Sequence, residues 1–205
     1  MNTTVKDTIL GETIILFQQE GIEAFSEDEL RQKLDISQAT FNELFSSKAN
    51  LVRQTLLFDI EKQQKYQKEL VKDAKSAIEE ILLMIQNGIK NMKATNPAYI
   101  LDLQQHYPEV WQIALDHLNT HSYHQIYDIL NRGVQGGEFR KDLNLQLVTK
   151  IMLEMVGLLL NPQVFPPERY SLSEVYRSIY LYYIRGICTE NGAKNADNFF
   201  AKYSV

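Results

Sequence analysis

The sequence predicts an all-α protein of about nine helices. Along most of its 205 residues, apolar side chains return at intervals of three and four, the spacing of one helical face. No stretch sustains the alternation expected of a half-buried strand. Glycine, proline and Asn-Pro breaks fall between the periodic stretches, where helices should end.

The first helix is predicted from about Val5 to Glu20, with Ile9, Thr13, Leu16 and Phe17 on one face and Gly21 as its stop. Ser26 and Glu29 form an S-x-x-E capping box that starts a second helix, in which Leu30 and Leu34 make an i, i+4 pair. Asp35-Ile36 breaks that pattern. Ser37 then caps a third helix carrying Phe41, Leu44 and Phe45. Two short helices around a tight turn have the helix-turn-helix pattern, whose second helix enters a DNA major groove. A long fourth helix is expected from Lys48 to Lys72, with Leu51, Leu56 and Leu57 in its first half. Its middle, EKQQKYQKEL, is almost wholly polar, as in a helix that bridges two regions, so the join is placed near residues 58–66.

The second half continues in helices. Residues 77–92 carry Ile78, Ile81, Leu82, Ile85 and Ile89. Asn96-Pro97 begins a short helix ending near His106, and Tyr107-Pro108 precedes a long one, Glu109 to Gly133. Gly136-Gly137 marks a turn. Leu145–Leu160 and Leu172–Glu190 are strongly apolar helices separated by the three prolines of NPQVFPPERY. The polar tail from Asn191 is expected to fray.

Composition sets limits on function. The 44% hydrophobic and 23% charged fractions suit a globular chain with a sizeable core. A single cysteine, Cys188, allows no internal disulfide and fits a reducing compartment. The N-terminus lacks a secretory pattern, and the greasiest stretch, Ile151–Leu160, is too short to span a bilayer. A cytoplasmic protein with no membrane partner is expected. No phosphate loop, H-E-x-x-H, C-x-x-C or nucleophile–base set is visible, so an enzyme is not expected, and no cofactor is implied. The net charge of −5 lies wholly in residues 1–50, which hold four basic and nine acidic residues; the remaining seventeen of each sign cancel. DNA-binding heads usually carry the opposite bias, because neutralising phosphates supplies affinity.

The N-terminal residues resemble the tetracycline-repressor (TetR) family of bacterial transcriptional regulators. Ile9-Leu10, Leu16-Phe17 and Gly21 resemble its first helix and closing glycine. Ile36-Ser37, Ala39-Thr40 and Phe41 are similar to its turn and recognition helix. Phe45, Ser47-Lys48 and Leu51 resemble the end of its DNA-binding domain. Gly136–Asn144 and Tyr183–Gly192 look like signposts of its last two helices. The resemblance implies a helix-turn-helix DNA-binding domain over residues 1–50 and an effector-binding and dimerisation domain over 51–205. It implies a homodimer that represses transcription at a double-stranded DNA operator until an unidentified small-molecule effector releases it. The sequence departs from the family where Asn42 replaces an aromatic, Leu44 a histidine or tyrosine, Asp35 a glycine and Arg31 an alanine. The recognition helix therefore holds no Lys, Arg or His, and a degenerate dimer acting through ligand or protein contacts is the alternative reading.

Candidate DNA-binding residues are Ser37, Gln38, Thr40, Asn42 and Lys48. Gln38 and Asn42 stand one turn apart, and either amide can bond an adenine edge. Thr40 suits a phosphate or a thymine methyl. The Lys48 ammonium, beside free backbone N–H groups, would hold a phosphate. The resemblance implies a ligand pocket around Tyr99, Leu103, Tyr107, Trp111 and Tyr127, where the family's effector pocket is walled and where aromatic residues concentrate in this chain; plain core is the competing reading. Met152, Met155, Val156, Leu159, Ile179, Tyr182 and Tyr183 are expected at the dimer interface, since stripes so wide need a partner. His117, His121, His124 and Asp128 form a stripe that could hold a metal, though a solvated edge explains it more simply and no metal is assigned.

Overall fold

Each predicted helix start in the head has its cap. In the computed structural model, which describes residues 4–203, α1 (Val5–Glu20) opens on Thr4, whose hydroxyl accepts from Asp7 N while the Asp7 carboxylate accepts from Thr4 N. The second helix, α2 (Glu27–Lys33), opens on Ser26 with the reciprocal bond to Glu29. Ser37 caps α3 (Gln38–Leu44), accepting from Thr40 N. The turn between α2 and α3 requires φ +50° at Asp35, a left-handed conformation that aspartate tolerates and glycine adopts freely.

Described residues form eleven α-helical segments. After the head come α4 (Lys48–Val71), α5 (Ala77–Ala94), α6 (Pro97–His106) and α7 (Pro108–His117). A π-turn over Leu118–Ser122 leads into α8 (Tyr123–Gln135), so the single long helix expected here is continuous but carries a widened turn. Then follow α9 (Leu145–Leu159), α10 (Leu172–Ile187) and α11 (Glu190–Tyr203). Instead of fraying, the C-terminal stretch is helical, with Ala196 and Phe199 buried. A helix of mostly polar residues persists because those few apolar ones find a core.

The chain forms two compact units. One takes the residues up to Tyr66 together with Ala94–Leu115; the other takes Gln67–Lys93 with the residues from Asp116 onward. The first unit has one hydrophobic core. Phe17, Ile22, Leu30, Phe41, Phe45 and Leu51 are its most enclosed members, and Phe41 meets Phe45 edge-on. On α4, Val52 and Thr55 join Leu51 and Leu56 in this core, while Leu57 faces outward. The start of α6 closes the end of α1. Asn96 N and Nδ2 donate to the carbonyls of Gln18 (2.7 Å) and Gln19 (3.1 Å), two of the acceptors that a helix end leaves unpaired. The Asp102 carboxylate accepts from Ile22 N and Glu23 N at 2.7 and 2.9 Å, fixing the loop that feeds the helix-turn-helix.

In the second unit, α8 packs on α9 and α9 on α10. The Gly136–Asn144 stretch is threaded among them: Phe139 is fully buried, bridges to Cys188 and lies where a side chain on Gly133 would have to be. Arg140 N donates to the Ile187 carbonyl, and the Glu138 carbonyl receives Thr189 N.

Candidate functional site

The outer face of α3 is the first candidate. Gln38, Ala39, Asn42 and Glu43 are exposed, whereas Phe41 and Phe45 anchor the opposite face. Gln38 Nε2 donates to Asn42 Oδ1 at 2.8 Å. This bond leaves the Gln38 carbonyl oxygen and the Asn42 amide protons facing outward as a tied acceptor–donor pair, the set that reads adenine N6 and N7. Ser37 Oγ and Thr40 Oγ1 share a hydrogen bond of 2.9 Å at the start of the helix. Gln38 and Asn42 therefore share one exposed edge of α3, with Ser37 exposed at its start and Thr40 half-buried beside Ser37.

Lys48 is placed differently. Its ammonium donates to Glu23 Oε1 at 2.9 Å and to the Phe25 carbonyl at 2.6 Å, and its side chain is only 18% exposed. Its backbone N–H is also engaged, by Glu27 Oε2 at 3.2 Å. The start of α4 already holds a carboxylate where the sequence suggests a phosphate. Burial opposes ionisation of Glu23, but hydrogen bonds from Lys48 and Tyr107 and the nearby charges of Lys48 and His106 hold its carboxyl below the usual carboxylate range. Part of the acidic excess of the head thus serves internal capping and pairing, which a count of charges along the sequence does not register.

The second candidate is a cavity of about 150 Å³ in the second unit. Met84, Ile85, Asn87 and Gly88 of α5 form one wall. Leu118 and Ser122 of the π-turn and Ile126 of α8 form another. Met152, Leu153 and Val156 of α9, with Tyr176 and Tyr180 of α10, close it. The Tyr180 hydroxyl donates to the Met152 carbonyl at 2.6 Å.

None of the five expected pocket residues lines this cavity. Tyr99 and Leu103 are buried in the core of the first unit, and Trp111 packs against the same core. Tyr107 is half-buried, donates to Glu23 Oε1 at 2.8 Å and borders an open groove of about 490 Å³ with Asn50, Arg53 and Val110. Tyr127 stacks on Tyr123 in the second unit. On α6 and the first turns of α7, Tyr99, Leu103 and Trp111 lie in or against the first unit's core, the arrangement of the competing core reading. Asn87-Gly88 lies on the stretch of α5 that lines the cavity, a position the sequence does not distinguish from the helix's other polar residues.

The predicted interface residues also divide. Met152 and Leu159 are buried within the unit, and Met152 and Val156 face the cavity. Met155, Ile179 and Tyr183 are half-buried, and Tyr182 is 71% exposed. Leu147, Ile151 and Leu158 complete the exposed apolar side of α9, and a side chain on Gly157 or Gly186 would meet nothing.

The histidine stripe does not converge. His117 and His121 stack with centroids 5.2 Å apart, and His124 packs edge-on to Tyr123. Among the described residues no group of three His, Cys, Asp or Glu side chains is placed to hold a metal. The π-turn between His117 and His124 rotates the later residues away from the earlier ones. Burial, with the like charge of His121, lowers the His117 pKa.

A helix-turn-helix with an exposed polar recognition edge, in an all-helical chain, places the protein in the class of helix-turn-helix transcriptional regulators. Residues 9–55 match the family model described as bacterial regulatory proteins, tetR family. Solved structures share the fold over almost the whole chain. The ketosteroid transcriptional regulator KstR2 of Mycobacterium tuberculosis is 16% identical, with a TM-score of 0.62 over 93% of this chain and 98% of its own. A TetR-family regulator from Cytophaga hutchinsonii is 16% identical, with a TM-score of 0.66 over 90% and 95%. PfmR, a TetR-family regulator from Thermus thermophilus, is 21% identical, with a TM-score of 0.59 over 86% and 97%. No curated protein matches the sequence. Among the described residues no helix is long and apolar enough to cross a membrane.

Proposed function

We propose that the chain is a homodimeric transcriptional repressor that binds an operator through α3 and leaves it when a small molecule occupies the cavity of the second unit. It would act in the cytoplasm, without catalysis and without a membrane partner. The observation that carries this reading is the family match over residues 9–55 with the Gln38–Asn42 pair standing on its exposed edge. Gln38 and Asn42 read bases, Ser37 and Thr40 contact the backbone, and Lys48 keeps the head in shape. The exposed sides of α9 and α10, with Ile151, Met155, Leu158, Ile179, Tyr182 and Tyr183, supply the dimer surface. In the dimer two copies of α3 must stand about 34–36 Å apart to meet successive major grooves, and the effector acts by favouring another spacing.

A gel shift against the DNA upstream of the chain's own gene tests the reading. Gln38→Ala or Asn42→Ala should each weaken specific binding about tenfold or more, as expected for loss of a base contact of roughly 1–3 kcal/mol. Log K should fall only shallowly with log salt, because α3 carries no cation and the Lys48 ammonium is internally paired. Binding that ignores both substitutions, or a steep salt slope, refutes the assignment. The second reading, a dimer that has lost tight DNA binding, is favoured by the same internal pairing of Lys48, and absence of any shifted complex would select it.

A further inference from the structure

We infer that the cavity of the second unit takes a compact, uncharged molecule, one ring or a short branched chain with a hydroxyl or carbonyl at one end. This inference takes its regulatory meaning from the effector reading above; its chemistry rests on the cavity alone.

Charge is the first selector. No Asp, Glu, Lys, Arg or His lines the space. Its ionisable groups are the phenols of Tyr176 and Tyr180, which burial holds protonated far above their ordinary range. An ion entering here would give up part of its hydration and meet no counter-charge, a cost that apolar contact does not return. Size is the second. About 150 Å³ is the scale of an engineered apolar cavity that binds benzene. Met84 and Met152 give the walls some freedom to adapt.

The polar part of the lining includes the amides of Gln67, Asn87 and Asn91, the Ser122 hydroxyl and the Tyr176 phenol. Asn87 is buried and Tyr176 half-buried, and both side chains line the cavity. Polar side chains set in an otherwise apolar lining mark where a ligand's own polar group belongs. Gly88 makes this possible: a side chain there would overlap the Tyr176 hydroxyl and push it out of the cavity. Ser122, whose hydroxyl caps no helix, borders the same space from the π-turn. An amide, a phenol and an alcohol between them can both donate and accept, which suits a hydroxyl or carbonyl partner.

Calorimetry on the full-length protein with five probes tests this: phenol, cyclohexanol, benzene, benzoate and benzylammonium. Phenol and cyclohexanol should bind saturably with Kd on the order of 1 mM or tighter. Benzoate and benzylammonium should bind at least about tenfold more weakly. Asn87→Leu and Tyr176→Phe, made separately and checked for cooperative melting, should each weaken phenol about tenfold while leaving benzene as tight or tighter. The wild-type probe series stands even if one variant fails to fold. Equal binding of the ions, no saturable binding of the neutral probes, or phenol affinity unmoved by both substitutions overturns the inference. Phenol that saturates the protein without releasing DNA refutes release by effector and leaves the cavity's chemistry standing.

Discussion

Replacing Lys48 by methionine separates a structural role from a DNA contact. The substitution keeps most of the aliphatic stem and deletes the ammonium. In the folded head that ammonium makes a 2.9 Å bond to Glu23 and a 2.6 Å bond to the Phe25 carbonyl, with its side chain 18% exposed and that of Glu23 42% exposed. The half-exposed ion pair is worth at most about 1 kcal/mol after solvent screening. The charged hydrogen bond to a partly buried carbonyl adds about 1 kcal/mol. Together they predict a loss of about 1–2 kcal/mol, and at about 2–4 °C per kcal/mol for a chain of this length, a Tm lower by about 2–8 °C. Differential scanning calorimetry at fixed protein concentration reads this directly. DNA affinity should fall only as far as the head loosens, and the slope of log K against log salt should stay as it is. A phosphate contact gives the opposite signature, an unchanged Tm and a slope shallower by about 0.9. That outcome would refute the internal assignment of Lys48.

Three further substitutions probe the scaffold, and one probes assembly. Asp35→Gly relieves a left-handed backbone at φ +50° and should raise stability by about 0.5 kcal/mol, read as a higher urea midpoint; a lower midpoint would show that the aspartate carboxylate contributes more than its backbone costs. Asp59 has a raised pKa because burial outweighs the hydrogen bond from Gln63 and the charge of Lys62. Such a carboxyl binds its proton more tightly folded than unfolded, so it costs stability as pH rises above its ordinary value of 3.8. Asp59→Asn should therefore stabilise at pH 7, with the gain fading as pH falls toward 3.8 in denaturation series. Gly192→Ala would drive a methyl into the Glu138 carbonyl, a backbone atom that cannot step aside, and should cost about 2–3 kcal/mol; a thermal melt matching wild type would contradict it. Tyr182→Glu with Leu158→Glu should give a monomer in light scattering while far-ultraviolet circular dichroism stays helical, and a persistent dimer would move the interface elsewhere.

Local chemistry carried the head. Ser26 with Glu29, and Ser37 before an apolar run, announce helix starts because the bonds they make lie within three residues, and the structure makes both. Phe41 and Phe45 are legible as core for the same reason: helical periodicity needs no knowledge of distant residues. The all-helical class follows from the sum of such signals.

What covers each apolar stripe was decided only by tertiary structure. Tyr99, Leu103 and Trp111 have the composition of a pocket wall, but their partners are α1 and α4, and they fill the head's core. Met152 reads equally well as interface or interior, and only the packing of α5, α8 and α10 around α9 turned it inward. Lys48 reads as a free cation until Glu23, twenty-five residues away in sequence, closes on it. Periodicity fixes which residues share a face, because that is set by 3.6 residues per turn; it is silent about what the face meets, because that depends on side chains far away along the chain. The sequence by itself determined a helix-turn-helix head whose reading helix carries no cation. The tertiary structure decided that its acidic residues are partly consumed in holding it together, and that Tyr99, Leu103 and Trp111 pack with the first unit's core while a cavity without charged side chains opens beside Asn87, Gly88 and Tyr176.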